Sequence, residues 1–287
     1  MSGASNARGG KPAGFFDPES PIRRVHREGV LLLGGGRALL LQVAHPLVAA
    51  GVAEHSNFRS DPFGRLRRTL DAMLAIVFAE REVALAWVNR VRGTHNSVKG
   101  RLQERAGPFP PGTLYDANDP DLLLWVHATL VDTALFLYQA FFGRLDSKDL
   151  TSYYKDSRVI ASLLGVPESK IPPTHQDFEA YMGGMLESDT LTVTETAREL
   201  AAAVLRAPVP FLGRALDGPA TFLTAAMLPG RLREGYRLGW GSAREMMWRG
   251  LLRTGRIVLP PSPRFLREMP QARRPPVVPE QRREHPR

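Results

Sequence analysis

Apolar side chains recur along this chain at the three- and four-residue spacing of an amphipathic helix. Leu66, Leu70, Met73, Leu74, Val77 and Phe78 set the pattern. Pro62 starts that run, which predicts helix with interruptions to Arg92, and Ala84 to Val98 continues in the same style. Upstream, Ser20 can cap and Pro21 suits a first turn, so Val25 to Leu33 reads as helix. Arg37 to Ala44 resumes it, and Pro46 opens another helix. Asn57 to Asp61 reads as a turn, and Ala106 to Gly112 (AGPFPPG) is a loop that cannot be helix. Asp119-Pro120 then caps a segment, Asp121 to Phe142, that is apolar almost all round and therefore expected at the centre of the fold. Its polar exceptions are His127 and Asp132. Leu150 to Leu164, Thr174 to Met185, Thr192 to Leu205, Asp217 to Met227 and Arg231 to Leu252 complete the helical set. Strands are hard to find, since no alternating run with Asn-Gly or Asp-Gly turns occurs. The reading is all-α: one large helical domain over residues 17–260, a flexible tail at 1–16, and a basic Pro/Arg-rich disordered tail at 261–287. Gly34-Gly35-Gly36 has no Lys-Ser/Thr after it and no strand before it, so close helix or cofactor approach explains it better than a phosphate loop.

Charge changes the picture only in part. A net +9 over 287 residues raises nucleic acid or an anionic membrane as partners. Part of the excess sits in the last stretch, where Arg264 to Arg287 holds seven Arg and three Glu among several prolines. With no nucleic-acid motif present, the expectation is no nucleic acid and peripheral membrane contact through the basic tail. Arg23-Arg24 ahead of Leu31-Leu32-Leu33 mimics a twin-arginine leader. The charges between them and Arg37 after them favour a domain helix instead. No run of about twenty apolar residues lacks a charge or a proline, so a cytoplasmic protein is expected. Cysteine is absent, which removes disulfides, thiolate metal ligands, cysteine nucleophiles and iron–sulfur clusters.

The remaining chemistry lies mostly in histidines. There is no His-Glu-x-x-His, no Glu-x-x-His and no Gly-x-Ser-x-Gly, so a zincin, a di-iron bundle and a standard hydrolase elbow lack support. A mononuclear iron site from His45, His55, His95 or His127 with Glu54 is conceivable, though the spacing is not diagnostic. An all-α chain without thiols leaves haem with a histidine axial ligand as a natural option. His95 is the first candidate ligand, following a long apolar helix and flanked by Thr94, Asn96 and Ser97. His127, five residues from Asp132, is second. Either reads equally as a core histidine bonded to a backbone carbonyl. Arg65 and Thr69 share one helix face four residues apart and suit a haem propionate and bound dioxygen, or else a solvated face. Glu54 could serve as a base if desolvated.

These residues occur in a familiar order: His45-Pro46, Gly51 with His55-Ser56, Asp61-Pro62, Arg65-Leu66-x-x-Thr69, Gly93-x-His95-x-x-Val98-x-Gly100, Tyr115-x-Ala117-x-Asp119-Pro120 and Leu124 to Leu130 (LWVHATL). Tyr153-Tyr154, Leu164 to Pro167 and Leu228-Pro229 extend the series. Together they resemble the family of latex-clearing rubber oxygenases and the mycophenolic-acid-pathway oxygenase over roughly residues 22–250. The resemblance implies an all-helical domain that binds haem b and uses dioxygen, with carbon–carbon double-bond cleavage in the rubber-cleaving members. It assigns the iron to His95, and Arg65 and Thr69 to the pair beside the haem. Arg68 stands where rubber oxygenases carry a distal lysine, a departure that bears on the polymer substrate. Glu54 is the nearest counterpart of their catalytic glutamate. The secreted members carry an export leader, which is not expected here, so a small apolar substrate of isoprenoid or lipid type is expected, with an unidentified electron donor as a further partner. The competing reading is a non-catalytic helical protein that binds lipid or a membrane surface.

Overall fold

The structure, a computed structural model, describes residues 14–55, 62–205 and 213–277. It is helical nearly throughout, with fourteen α-helices and one two-stranded antiparallel sheet among the described residues. The organising element is α6 (Pro120–Phe142). Asp119 caps it by accepting from the backbone N–H groups of Asp121 and Leu122, and Pro120 occupies its first turn. Its side chains are buried on nearly every face, as an apolar run without a polar stripe requires. Trp125 is wholly buried, as is Tyr153 from α7 (Ser147–Leu164), which packs alongside. Gly165, with φ of +109°, ends α7 in the left-handed conformation that glycine tolerates. Among the described residues α6 is the helix long and apolar enough to cross a membrane, and two-thirds (67%) of that stretch is buried inside the protein.

Against α6 lie α1 (Pro21–His26), a 3-10 turn (Gly29–Gly34) and α2 (Gly35–Val43). The expected helix from Val25 to Leu33 is thus split. Gly29 passes against the carbonyl of Arg267, where a Cβ would lie 2.8 Å from that oxygen, and Glu28 bridges to Glu268. A continuous helix could not make that approach. At Gly34 a Cβ would sit 2.5 Å from side chains of both Leu137 and Thr133, so glycine sets how closely the turn meets α6. Arg37 ties α2 to the same helix. Its Nη1 donates to Thr133 Oγ1 and its Nη2 to Asp132 Oδ2, both at 2.6 Å, and its Nε donates to the Met227 carbonyl at 2.9 Å.

α3 (Pro46–His55), α4 (Pro62–Phe78) and α5 (Arg81–His95) follow, and the short link at Ala79-Glu80 folds α4 and α5 into an antiparallel pair. The turn expected at Asn57 to Asp61 lies outside the described residues. After α5 the chain makes strand β1 (Lys99–Arg101), which pairs with β2 (Leu114–Asp116), Gly100 opposite Tyr115. Three-residue strands carry too little alternation to be seen in the sequence. α8 (His175–Glu187) opens with the expected Thr174 cap, completed by Asp177 in a reciprocal capping box. The helix expected from Arg231 to Leu252 is two: α11 (Gly230–Gly235) and α12 (Ser242–Val258), separated by a bend in which Arg237 has φ of +56°.

Residues 261–277 are not a free tail. Met269 is buried, and α13 (Arg264–Arg267) and α14 (Pro270–Arg273) flank it. Glu268 is within ion-pair reach of Arg27, Arg264 and Arg273, and the Trp87 indole N–H donates to the Pro276 carbonyl. One apolar anchor and an acid among arginines hold a segment whose composition alone suggests disorder. At the other end Phe16 is buried and Phe15 stacks under Arg81, so the described part of the N-terminal stretch, from Gly14, packs on the domain.

Candidate active site

A cavity of about 550 Å³ lies between the 3-10 turn, α2, α4 and α6. Leu70, Met73 and Leu74 of α4, Ala38 and Leu39 of α2, and Leu130 of α6 make its wall apolar. Volume and lining are those of a site for a cofactor or small apolar ligand, which typically occupies about 300–1,000 Å³. A few polar groups interrupt this surface. Thr133 and Gln42 are committed to the fold, the first accepting from Arg37 and the second donating to Thr129 Oγ1 at 3.1 Å. Thr69 enters the wall from α4, where the four-residue register from Arg65 predicts it.

His26 also forms part of the wall. It ends α1, one residue after buried Val25 and four after buried Ile22, so helix register turns it inward. Its Nε2 lies 3.2 Å from the Tyr153 hydroxyl, and the two rings are parallel within 4°, centroids 6.0 Å apart. Burial, reinforced by nearby His127, lowers its pKa to about 4, and burial also holds the Tyr153 phenol above its usual range. The imidazole is therefore neutral at physiological pH. No motif marks His26; only its position in the apolar register of α1 could have pointed to it.

A second polar cluster gathers at the end of α3 and the strand pair. Tyr115 is buried, its hydroxyl donating to a Glu54 carboxylate oxygen and standing 3.2 Å from His55 Nε2. Glu54 and His55 themselves are exposed. Gly51 and Gly100 leave room for the ring: a Cβ at Gly100 would fall 2.3 Å from the phenol oxygen. His95 ends α5 immediately before this pair, with its Nδ1 buried. The segment after it is fixed by the Val98 N–H donating to the His95 carbonyl at 3.0 Å, and by Asn118 donating to Asn96 at 3.0 Å. In α4, Gly64 contributes to the cavity wall. The backbone of Arg65 is helical; its side chain lies outside the described residues.

His95 itself is not in the cavity wall, nor is His127. His127 lies on α6 against Tyr154, Ser157 and Phe178, where a separate space of about 10 Å³ holds at most a single water. Its Nδ1 is buried without a hydrogen-bond partner, and burial lowers its pKa to about 4. It is a neutral core histidine outside the larger cavity. His45, also buried and lowered to about 4, packs beside Phe109. No group of three His, Asp or Glu among the described residues could hold a metal ion, so the mononuclear non-haem site has no ligand set there. Size, apolar lining, a neutral cavity-facing imidazole and Thr69 fit a haem by surface chemistry. The ligand that the sequence favours, His95, stands outside that lining.

The chain matches, over residues 22–257, the family described as the catalytic domain of ER-bound oxygenase mpaB/B' and rubber oxygenase. Two uncharacterized mycobacterial proteins, one of Mycobacterium bovis and one of Mycobacterium tuberculosis, are each 28% identical over 226 residues, covering 76% of this chain and 85% of theirs. No solved structure matches.

Proposed function

Because this chain belongs to the mpaB/rubber oxygenase catalytic-domain family, we propose that it is a haem b-dependent oxygenase that uses dioxygen on a small apolar substrate of isoprenoid or lipid type. The observation that carries the reading is the 550 Å³ cavity, apolar but for a few polar groups, with Thr69 in its wall. His95 would hold the iron from the end of α5, and Arg65 and Thr69 would orient the haem and the bound oxygen. A haem held there supplies the redox chemistry that no side chain of this chain can supply.

The protein's own groups do the rest. Leucines and methionines of α2, α4 and α6 exclude water and give an alkene or acyl chain a mainly hydrocarbon surface, with Arg67 the one charged side chain in the wall among the described residues. Thr69 adds a polar side chain to that wall. The neutral His26 ring, steadied by Tyr153, offers a polar contact without carrying charge into an apolar space. Glu54 is exposed and bonded to Tyr115, so its part as a base requires substrate to reach the α3 end. Cleavage of a carbon–carbon double bond by dioxygen to two carbonyl ends balances without external electrons. Insertion of one oxygen atom needs the electron donor.

An absorption spectrum of protein expressed with ample haem, before and after dithionite, tests the reading. The expected result is stoichiometric haem and a Soret band that shifts on reduction. In His95→Ala that band is lost or altered. An unchanged band in His95→Ala would overturn the ligand assignment, and no band after reconstitution would overturn the haem reading. A cavity that then binds fatty acid or terpenoid would favour the non-catalytic lipid-binding alternative.

A further inference from the structure

α12 has two apolar sides. One faces the protein: Trp248 is buried, Leu252 packs in the same cluster, and Gly255 lies against the Phe141 ring. At about 100° per residue, the outward side carries Met246, Ile257, Met247, Val258 and Leu251 over roughly 140° of arc. Ala243, Gly250 and Thr254 share that arc, and no charged residue does. Met246 is 71% exposed and Ile257 67%. Arg249, Arg253 and Arg256 run along one border and Arg244 along the other.

The surface continues past the helix. Phe265 and Leu266 of α13 are 68% and 70% exposed, and Leu32 and Leu33 of the 3-10 turn are exposed as well. These three segments meet around the C-terminal end of α6. Arg256 Nε donates to the Ala140 carbonyl at 2.6 Å, Arg267 stacks on Phe142, and Gly29 abuts the Arg267 carbonyl. Exposed apolar residues gathered this densely mark an interaction surface.

We infer that this surface docks the protein on an anionic lipid bilayer. Charge selects the occupant. Between Ser242 and Arg267 there are six arginines and a single acid, Glu245. An apolar stripe bordered by cations is the pattern of a helix lying in a headgroup interface, side chains among the acyl chains and guanidinium groups at the phosphates. A second copy paired about a two-fold axis would bring the same cationic borders together, which opposes self-association. Leu32 belongs both to this surface and to the cavity wall, so the docked face adjoins the cavity. The docking stands whether or not the cavity holds a haem.

The experiment is co-sedimentation of the full chain with vesicles of phosphatidylcholine alone or with added phosphatidylserine. The intact chain is expected to bind the anionic vesicles, more weakly as salt rises. The triple variant Met246→Glu, Ile257→Glu, Leu266→Glu should bind about tenfold more weakly, with helix content and unfolding midpoint unchanged because all three side chains face solvent. Arg249→Gln with Arg253→Gln should weaken binding to anionic vesicles and reduce its salt dependence. Absence of binding by the intact chain, or equal binding by the triple variant, would overturn the inference. So would binding that survives the triple variant but disappears when Arg282, Arg283 and Arg287 become Gln, which would make the terminal stretch the anchor. Self-association abolished by the triple variant, without vesicle binding, would assign the surface to a second copy instead.

Discussion

Two hydrogen-bonded histidine–tyrosine pairs stand among the described residues, each with ring nitrogen and phenol oxygen 3.2 Å apart, and they differ in almost everything else. His26 and Tyr153 are stacked, enclosed and remote from any carboxylate that bonds them. His55 and Tyr115 meet edge to face at 74°, and the phenol donates to exposed Glu54. Burial, through the cost of desolvating charge, with nearby His127 adding to it, makes the first pair a neutral element of an apolar wall. The second pair keeps a carboxylate and an imidazole at the solvent boundary, held by a buried ring. The same two residue types thus stand at an enclosed, apolar wall in one place and in a solvent-facing network in the other.

The contrast can be broken most strongly by Tyr153→Ala, which empties a fully buried ring site and should cost about 3–5 kcal/mol in denaturant unfolding. A smaller loss there would mean that the wall relaxes around the void. Next comes acid. His26 and His127 are lowered to about 4 in the folded protein and titrate near about 6.5 when unfolded. The unfolded chain therefore takes up protons first, so stability is full above about pH 6.5 and falls as pH drops towards 4, by at most about 3 kcal/mol per ring. His26→Gln should flatten part of that decline in a pH series of unfolding midpoints; an unchanged decline would show that His26 is not held neutral by burial. Tyr153→Phe leaves a buried imidazole nitrogen without its partner and should cost about 1–3 kcal/mol, whereas Tyr115→Phe frees a carboxylate that water can solvate and should cost at most about 1 kcal/mol. Equal costs would erase the distinction between the pairs. The smallest effect is Glu54→Gln, within about 0.5 kcal/mol of the parent in stability, so any large loss of turnover in that variant would belong to chemistry.

Much of this was legible in the sequence. The all-round apolar run after Asp119-Pro120 announced α6 and its central place, and Thr174 with Asp177 announced the start of α8. Thr69, singled out in the sequence, lies in the cavity wall. What failed to show depends on contacts distant in sequence. Neither the break at Gly29 nor the docking of Met269 can be seen locally, because each is the other's partner. The strand pair hides in three-residue segments whose packing depends on Gly100 leaving space for Tyr115. His127 stands second to His95 in the sequence; the fold sets His127 against a space of about 10 Å³, and neither ring lines the larger cavity.

The bridge between Glu28 and Glu268 has a practical consequence for anyone cutting this chain. The family match stops at residue 257, yet Met269 is a stave in the cavity wall. A fragment trimmed to the homologous boundary would keep every motif and lose one side of the vessel. It would also leave Gly29 facing water in place of a carbonyl, unclasping the first turn of the domain from its last.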